Sequence, residues 1–114
     1  MLKAFDLARE MTRRTRKMPR DLKFVLGDRM LAASYDVLDL LIEAKYSRHQ
    51  GYQGMKGDLL PRANLTLERL RFQARLCMEE RLINLSQYEY VSGLIQEVGS
   101  MIGGWIRSLK ELKE

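Results

Sequence analysis

A single apolar repeat near the end of the chain constrains the fold more than any other feature. Large apolar side chains recur there at alternating spacings of three and four residues, at Tyr88, Val91, Ile95, Val98, Ile102, Trp105, Leu109 and Leu112. This spacing places them on one stripe of an α-helix, because each helical turn contains 3.6 residues. Ser86 and Glu89 have the spacing of a capping box, so a helix over about residues 87–112 is predicted. Such a stripe has to be buried against other elements of the fold.

Four glycines interrupt this predicted helix: Gly93, Gly99, Gly103 and Gly104. Each costs about 1 kcal/mol relative to alanine in a helix interior, so we expect a close approach of another backbone to compensate. Tight packing inside one bundle and a contact between subunits are both consistent with these glycines. The residues predicted to serve packing or oligomer contact are Gly99, Gly103, Gly104 and the single tryptophan, Trp105.

The same 3–4 spacing predicts three earlier helices, over about residues 2–17, 20–45 and 58–82. Pro19 separates the first two, because the residue before a proline avoids the α region. Asp58 is predicted to cap the third helix, with Pro61 in its first turn. Residues 46–57 are predicted to be the main loop.

Four helices with mostly short connections predict an all-α, antiparallel, up-down-up-down four-helix bundle, with residues 1–114 forming one domain. On the third helix, Leu65, Phe72 and Leu76 are predicted to widen the buried seam. On the last helix, surplus apolar residues lie off the main stripe, and we take this as a sign of a homo-oligomer. These residues are Leu94, Met101 and Ile106.

Several functional classes find little support in the sequence. The chain has no apolar run of about 18 residues and no secretory signal pattern, so a cytoplasmic protein without a membrane segment is expected. His49 is the single histidine and Cys77 the single cysteine, so we expect neither a catalytic set nor a cofactor. The glycines of the predicted loop lack the strand and the Gly-Lys-Ser/Thr end of a phosphate-binding loop. The carboxylates Asp36, Asp39 and Glu43 lack the histidines that a helical metal site normally uses, so no metal site is predicted.

The net charge of +5 is concentrated at one end of the chain. Residues 1–23 carry eight basic and three acidic side chains, whereas the remainder carries twelve of each. Such a block favours a polyanionic partner, most plausibly nucleic acid, although a solvated helix face has the same appearance. The candidate binding residues here are Arg9, Arg13, Arg14, Arg16, Lys17, Arg20 and Lys23. Those of the third helix are Arg62, Arg69, Arg71 and Arg75, for which ion pairs within the helix are the alternative.

An ordered set of short motifs resembles one known family. The set includes Met18-Pro19-Arg20, the Leu-Gly-Asp-Arg of residues 26–29, residues 38–44, 70–72 and 75–76, and Leu85-Ser86 with Tyr90. Its most specific part is residues 97–99 together with Gly103-Gly104-Trp105-Ile106. The chain resembles the accessory variability determinant (Avd) proteins of diversity-generating retroelements. These are related to the four-helix-bundle proteins encoded in intervening sequences of ribosomal RNA genes.

The resemblance implies a non-enzymatic accessory protein that forms a homopentameric barrel. It implies binding to the retroelement reverse transcriptase and to nucleic acid, the template-repeat RNA or its complementary DNA, in support of mutagenic reverse transcription and retrohoming. It assigns these contacts to arginines of the third helix and, above all, to the basic residues Arg13, Arg14, Arg16, Lys17, Arg20 and Lys23. An intervening-sequence-type bundle without a reverse transcriptase, or a structural or toxin-neutralising bundle, is the alternative.

Overall fold

Four helices make up the described part of the chain. The computed structural model describes residues 2–47 and 52–112, with side-chain burial for residues 2–47 and 58–110. Helix α1 is Leu2–Arg16. Helix α2 is a continuous rod of three segments: α-helical Arg20–Leu22, π-helical Lys23–Gly27 and α-helical Asp28–Tyr46. Helix α3 is Tyr52–Glu79, and helix α4 is Leu85–Leu112. No strand occurs in these ranges, so the prediction of an all-helical chain with four helices is confirmed.

The connections between helices are three to five residues long, which makes consecutive helices antiparallel neighbours. Helix α1 packs against α2 and α4, and α3 also packs against α2 and α4. Helices α1 and α3 are therefore diagonal partners in the bundle, without a shared contact surface in the described ranges.

The core follows the 3–4 spacing that the sequence displays. Its largest side chains are fully buried, and all four helices contribute: Leu7, Met11, Met30, Val37, Leu41, Leu60, Leu67, Leu70, Val91, Ile95, Val98 and Ile102. Burial of each such side chain contributes about 1.5–3 kcal/mol. Packing along these stripes therefore stabilises helices that carry several glycines.

Helix α1 is shorter than its neighbours, and this shapes one end of the bundle. Lys3 Nζ lies 3.0 Å from Glu97 Oε2. The hydrogen bond to Glu97, together with the Glu97 charge, raises the pKa of Lys3. Since α1 and α4 are antiparallel, residues 98–112 of α4 extend past the start of α1. Gly103, Gly104 and Trp105 lie on this extension, and Gly103 borders a groove that Asn64 and Glu68 of α3 also line.

The closest approach at any described glycine occurs in α2. A Cβ added to Gly27 would lie 2.8 Å from Met18 Sδ and 3.2 Å from Thr15 Cγ2. The prediction that the glycines of α4 admit another backbone inside the bundle is wrong. Gly93 has open space around it, and Gly99 makes only an ordinary 3.5 Å contact with Leu67 Cδ2. Around Gly103 and Gly104, the nearest atoms are those of the Arg107 guanidinium of the same helix.

Helix α3 begins earlier than predicted. It starts at Tyr52 rather than near Asp58, so Pro61 lies in the helix interior and the predicted loop is shorter. Proline lacks an N–H, so the helix forgoes one backbone hydrogen bond there. Residues 48–51, including His49 and Gly51, lie outside the described residues.

The end of α3 is a Schellman motif built on a non-glycine residue. Leu82 N donates to Cys77 O at 2.8 Å, and Arg81 N donates to Met78 O at 3.0 Å. These are the 6→1 and 5→2 hydrogen bonds of that motif. Arg81 occupies its left-handed position with φ 62°. The helix ends at Glu79, three residues before the predicted end.

The start of α4 is fixed by a capping box different from the predicted one. Gln87 N donates to Asn84 Oδ1 at 2.8 Å, and Asn84 N donates to Gln87 Oε1 at 2.9 Å. Asn84 is therefore the N-cap and Gln87 the N3 residue. The predicted box of Ser86 and Glu89 is wrong because the helix has already begun at Leu85.

Candidate nucleic-acid interface

Most of the predicted basic residues of α1 and the following turn are exposed side by side. Arg9, Arg13 and Arg16 follow one another at spacings of four and three on the outer face of α1. Lys17 and Arg20 flank the turn after it. We call these five exposed residues the basic surface. Lys23, which was also predicted to bind, is half-buried.

Arg14 occupies a different position from its neighbours. Its Nε donates to Glu10 Oε2 at 2.6 Å, and the Glu10 side chain is only 5% exposed. Arg13 Nη1 approaches the other carboxylate oxygen of Glu10 at 3.7 Å. The Arg14 charge is therefore committed to a buried partner, and its geometry suits it to hold α1 together rather than to contact a phosphate.

The remaining cations of the basic surface have no such partner. Among the described residues, no carboxylate lies within 4.0 Å of the charged groups of Arg9, Arg16, Lys17 or Arg20. Cations in the last turn of α1 also stabilise the negative end of the helix dipole, by about 0.3–1 kcal/mol each. That stabilisation leaves their outer donors free to contact an external anion.

The arginines predicted on α3 lie in a more acidic environment. Arg71 Nε lies 3.4 Å from Glu68 Oε1, and Arg75 Nε lies 3.3 Å from Glu79 Oε1. Both are pairs within the helix, as the alternative interpretation had it for Glu68 and Arg71. Arg62 and Arg69 line an open groove of about 520 Å³ between α2 and α3, facing the carboxylates Asp36, Asp39 and Glu43.

Helices α1 and α3 do not contact each other in the described ranges, so these two sets of cations lie on separate helices of the bundle. The groove between α2 and α3 does not have the features of a metal centre. Within the described ranges, no group of three His, Cys, Asp or Glu side chains is placed to hold a metal ion.

The exposure of several apolar side chains differs from the prediction. Some that were predicted to be buried on α3 are exposed, and some that were predicted to form an interaction face on α4 are buried or half-buried. Leu65, Phe72 and Leu76 were predicted to widen the buried seam of α3, but they are 57%, 68% and 47% exposed. Their spacings of seven and four residues place them on one outward stripe, which we call the α3 outer stripe. The surplus apolar residues of α4 instead pack against their own core, with Leu94 buried and Met101 and Ile106 half-buried. The apolar face of each of these helices is wide, so the sequence alone did not show which edge of that face packs into the core.

The glycine-rich part of α4 lines a second groove. It has a volume of about 350 Å³ and runs between α3 and α4, and Gly99, Gly103, Glu68, Arg71 and Arg107 all border it. Trp105 is half-buried and packs against the core. Gly99 and Gly103 thus border an open groove on the surface of the chain.

Cys77 contributes no reactive group to the surface. It is fully buried on the inner seam of α3, and this burial raises the pKa of its thiol to about 11. The thiol therefore stays protonated at neutral pH and behaves as a small apolar side chain.

Sequence reasoning missed one exposed pair beside the basic surface. Phe24 and Val25 are each 64% exposed and lie in the π-helical segment of α2. The signal was the run of three apolar residues at Phe24, Val25 and Leu26, because three consecutive residues cannot all enter one helical stripe.

No helix in the described ranges carries an apolar run long enough to cross a bilayer. No curated protein and no solved structure matches the chain. A family profile described as bAvd-like matches residues 3–109, which is nearly the whole chain and includes most of each helix. This match confirms the resemblance given by the sequence motifs. The chain belongs to the bAvd-like family.

Proposed function

We propose that the chain is the accessory protein of a diversity-generating retroelement. It binds the reverse transcriptase and nucleic acid, and it supports mutagenic copying of a template-repeat RNA. The bAvd-like family is an accessory, non-catalytic family, which supports a role in binding rather than in chemistry. The observation that carries the proposal is the row of exposed cations without carboxylate partners on α1 and the adjoining turn.

The mechanism of nucleic-acid binding is electrostatic. Lysine and arginine side chains neutralise phosphates and release condensed counterions without reading the bases. A surface with few cations per protomer binds weakly, so assembly of several protomers strengthens binding through effective concentration. The basic surface provides the phosphate contacts, and the α3 arginines are secondary because carboxylates face them.

We further propose that protomers associate as a homo-oligomer, with a pentamer as the expected form. The α3 outer stripe supports this, because an apolar stripe at helical spacing on a helix exterior gains stability when a partner covers it. The open groove beside Gly99 and Gly103 gives a partner helix room for close approach. A pentamer has five times the 13.4 kDa protomer mass.

Light scattering coupled to size exclusion tests the assembly. The wild-type particle is expected to have a mass well above that of one protomer. Gly103→Leu fills the groove and is expected to lower the mass of the particle or disrupt packing. Gly93→Leu places the same side chain in open space and serves as the matched control. Wild type that stays near 13.4 kDa at micromolar concentration contradicts the oligomer.

A second experiment tests the partners. Anisotropy of labelled template-repeat RNA is expected to show weakened binding when Arg9, Arg16, Lys17 and Arg20 are replaced by glutamine. The matched control replaces the same number of arginines on α3, Arg62, Arg69, Arg71 and Arg75, and it is expected to bind more like wild type because carboxylates face or pair with these side chains. Co-purification with the retroelement reverse transcriptase tests the protein partner, and failure of the two proteins to co-purify at low salt contradicts that part of the proposal.

A further inference from the structure

The π-helical segment of α2 turns an aromatic ring out beside the basic surface. Asp28 N donates to Lys23 O, five residues earlier, which is the hydrogen-bond pattern of a π turn. Such a turn contains one residue more than an α-helical turn, and Phe24 and Val25 both point outward from it. Isolated π turns within α-helices occur frequently at functional sites.

Packing on the opposite side holds this turn in place. Gly27 is buried, and Met18 Sδ and Thr15 Cγ2 press on the position where its Cβ would be. Thr15 Oγ1 also donates to Gly27 O at 3.5 Å. The buried contact with the end of α1 therefore fixes the outward position of Phe24, which projects from a packed helix rather than from a loop.

The charges near the ring are mainly positive. Arg20 precedes Phe24 by one turn, and the other cations of this stretch are Arg16, Lys17, Lys23 and Arg29. The carboxylates of the same stretch are Asp21 and Asp28, both exposed. Five cations against two carboxylates favour a polyanion at this end of the bundle.

We propose that Phe24 is a stacking platform for a base of single-stranded nucleic acid whose phosphates lie along the basic surface. This inference rests on the proposed nucleic-acid function, and it specifies which form of nucleic acid the site accepts. Proteins that bind single strands without sequence preference combine a cationic track with exposed aromatic rings, because each base offers a π face.

The geometry favours a single strand over the other polyanions. In a duplex the base faces are already stacked on one another, so a duplex meets only the cations and gains nothing from the ring. An acidic peptide would use the cations and could cover Val25, but it has no regular series of planar groups for Phe24 to stack on. A linear row of cations that leads to one ring matches a flexible chain of alternating phosphates and bases.

Phe24→Ala tests the stacking contact, with Phe24→Tyr as the variant that retains an aromatic ring and Val25→Ala as the neighbouring control. The probes are a fluorescein-labelled 20-nucleotide single-stranded RNA and a 20-base-pair RNA duplex, measured by anisotropy at 50 mM potassium chloride. Loss of one stacked base is expected to weaken single-strand binding about 5- to 100-fold in Phe24→Ala. Duplex binding, the Phe24→Tyr affinity and the Val25→Ala affinity are expected to stay within about twofold of wild type. Circular dichroism checks that Phe24→Ala keeps its helical content.

The outcomes separate this inference from the function on which it rests. If wild type binds the single strand and Phe24→Ala binds it equally well, stacking is contradicted and the proposed function stands. An equal loss for single strand and duplex also contradicts stacking. If wild type binds neither probe at 50 mM salt, the nucleic-acid function fails and the inference fails with it. If Phe24→Ala keeps single-strand affinity but no longer co-purifies with the reverse transcriptase, the patch is a protein-docking site and the inference is wrong.

Discussion

Arg14 and Glu10 form a largely buried ion pair in α1, with Nε and Oε2 separated by 2.6 Å. This contact divides the basic residues of the first helix into two functional kinds. Arg14 neutralises a buried carboxylate, whereas Arg16, two residues later, is exposed and has no carboxylate within 4.0 Å among the described residues. Neighbours in the sequence therefore have different consequences when they are replaced.

Replacing Arg14 with alanine should lower stability. The change leaves the Glu10 carboxylate buried without its main donor, and a loss of about 2 kcal/mol in unfolding free energy is expected. Arg16→Ala, the matched control, should lose at most about 1 kcal/mol, because its exposed side chain contributes only its interaction with the helix dipole. Urea denaturation measures both. Equal stability of the two variants would show that Arg14 does not anchor Glu10.

Two glycine-to-alanine changes should have opposite effects. Gly93→Ala should stabilise the protein by about 1 kcal/mol, since it improves helix propensity in open space. Gly27→Ala should destabilise it by about 1 kcal/mol or more, because the new methyl group meets buried Met18 and Thr15. Thermal unfolding followed by circular dichroism distinguishes them. If both variants gain stability equally, the close approach of α1 to Gly27 is refuted.

A glycine at position 81 should stabilise the end of α3. Arg81 has φ 62°, a left-handed backbone conformation that is unfavourable for residues with a Cβ atom. Arg81→Gly relieves that strain and should add about 1 kcal/mol to the unfolding free energy. Arg81→Ala removes the same long side chain but keeps the Cβ, so it should leave stability close to that of wild type. Chemical denaturation of the three proteins measures this, and no difference between the glycine and alanine variants contradicts the Schellman assignment.

The Cys77 thiol should resist modification in the folded protein. Burial raises its pKa from 9.0 to about 11. At pH values between about 9 and 11 the thiol stays protonated in the folded state, whereas the same thiol in the unfolded chain ionises near pH 9. This group's contribution to stability is therefore fully present below pH 9 and is lost as the pH rises through about 11.

Labelling with a thiol-reactive disulfide reagent at pH 8 checks the burial of Cys77. The reaction should be slow in buffer and rapid in guanidinium chloride. Between pH 9 and 11, the stability of wild type should fall more steeply than that of Cys77→Ala, in which the thiol is absent. Rapid labelling of the folded protein at pH 8 would contradict the burial.

The sequence predicted the parts of the fold that depend on periodicity. Residues at 3–4 spacing such as Val91, Ile95 and Val98 are all buried. They share one face of α4, and that face packs against the core. Predictions based on short local signals were less accurate. Asn84 with Gln87, and Ser86 with Glu89, have the same capping spacing, so the spacing alone did not distinguish them, and it is Asn84 with Gln87 that starts α4.

The glycines show why contacts could not be predicted from sequence alone. Gly27 and Gly103 both cost helix propensity, but only Gly27 faces another helix closely. Gly27 packs against Thr15 and Met18 at the end of α1, whereas Gly103 lies on α4 beyond Glu97, which pairs with Lys3 at the start of α1. The commitment of Arg14 to Glu10 likewise depends on burial, which a charge pattern does not encode.

The salt dependence of RNA binding shows whether the basic surface neutralises phosphates. The slope of log K against log salt concentration reports the number of phosphates neutralised, at about 0.7 per contact for a single strand. Replacing Arg9, Arg16, Lys17 and Arg20 with glutamine should reduce the magnitude of that slope by up to about 3, with the helical signal unchanged. If the wild type binds RNA and this variant shows the same slope as the wild type, the basic surface does not neutralise the phosphates.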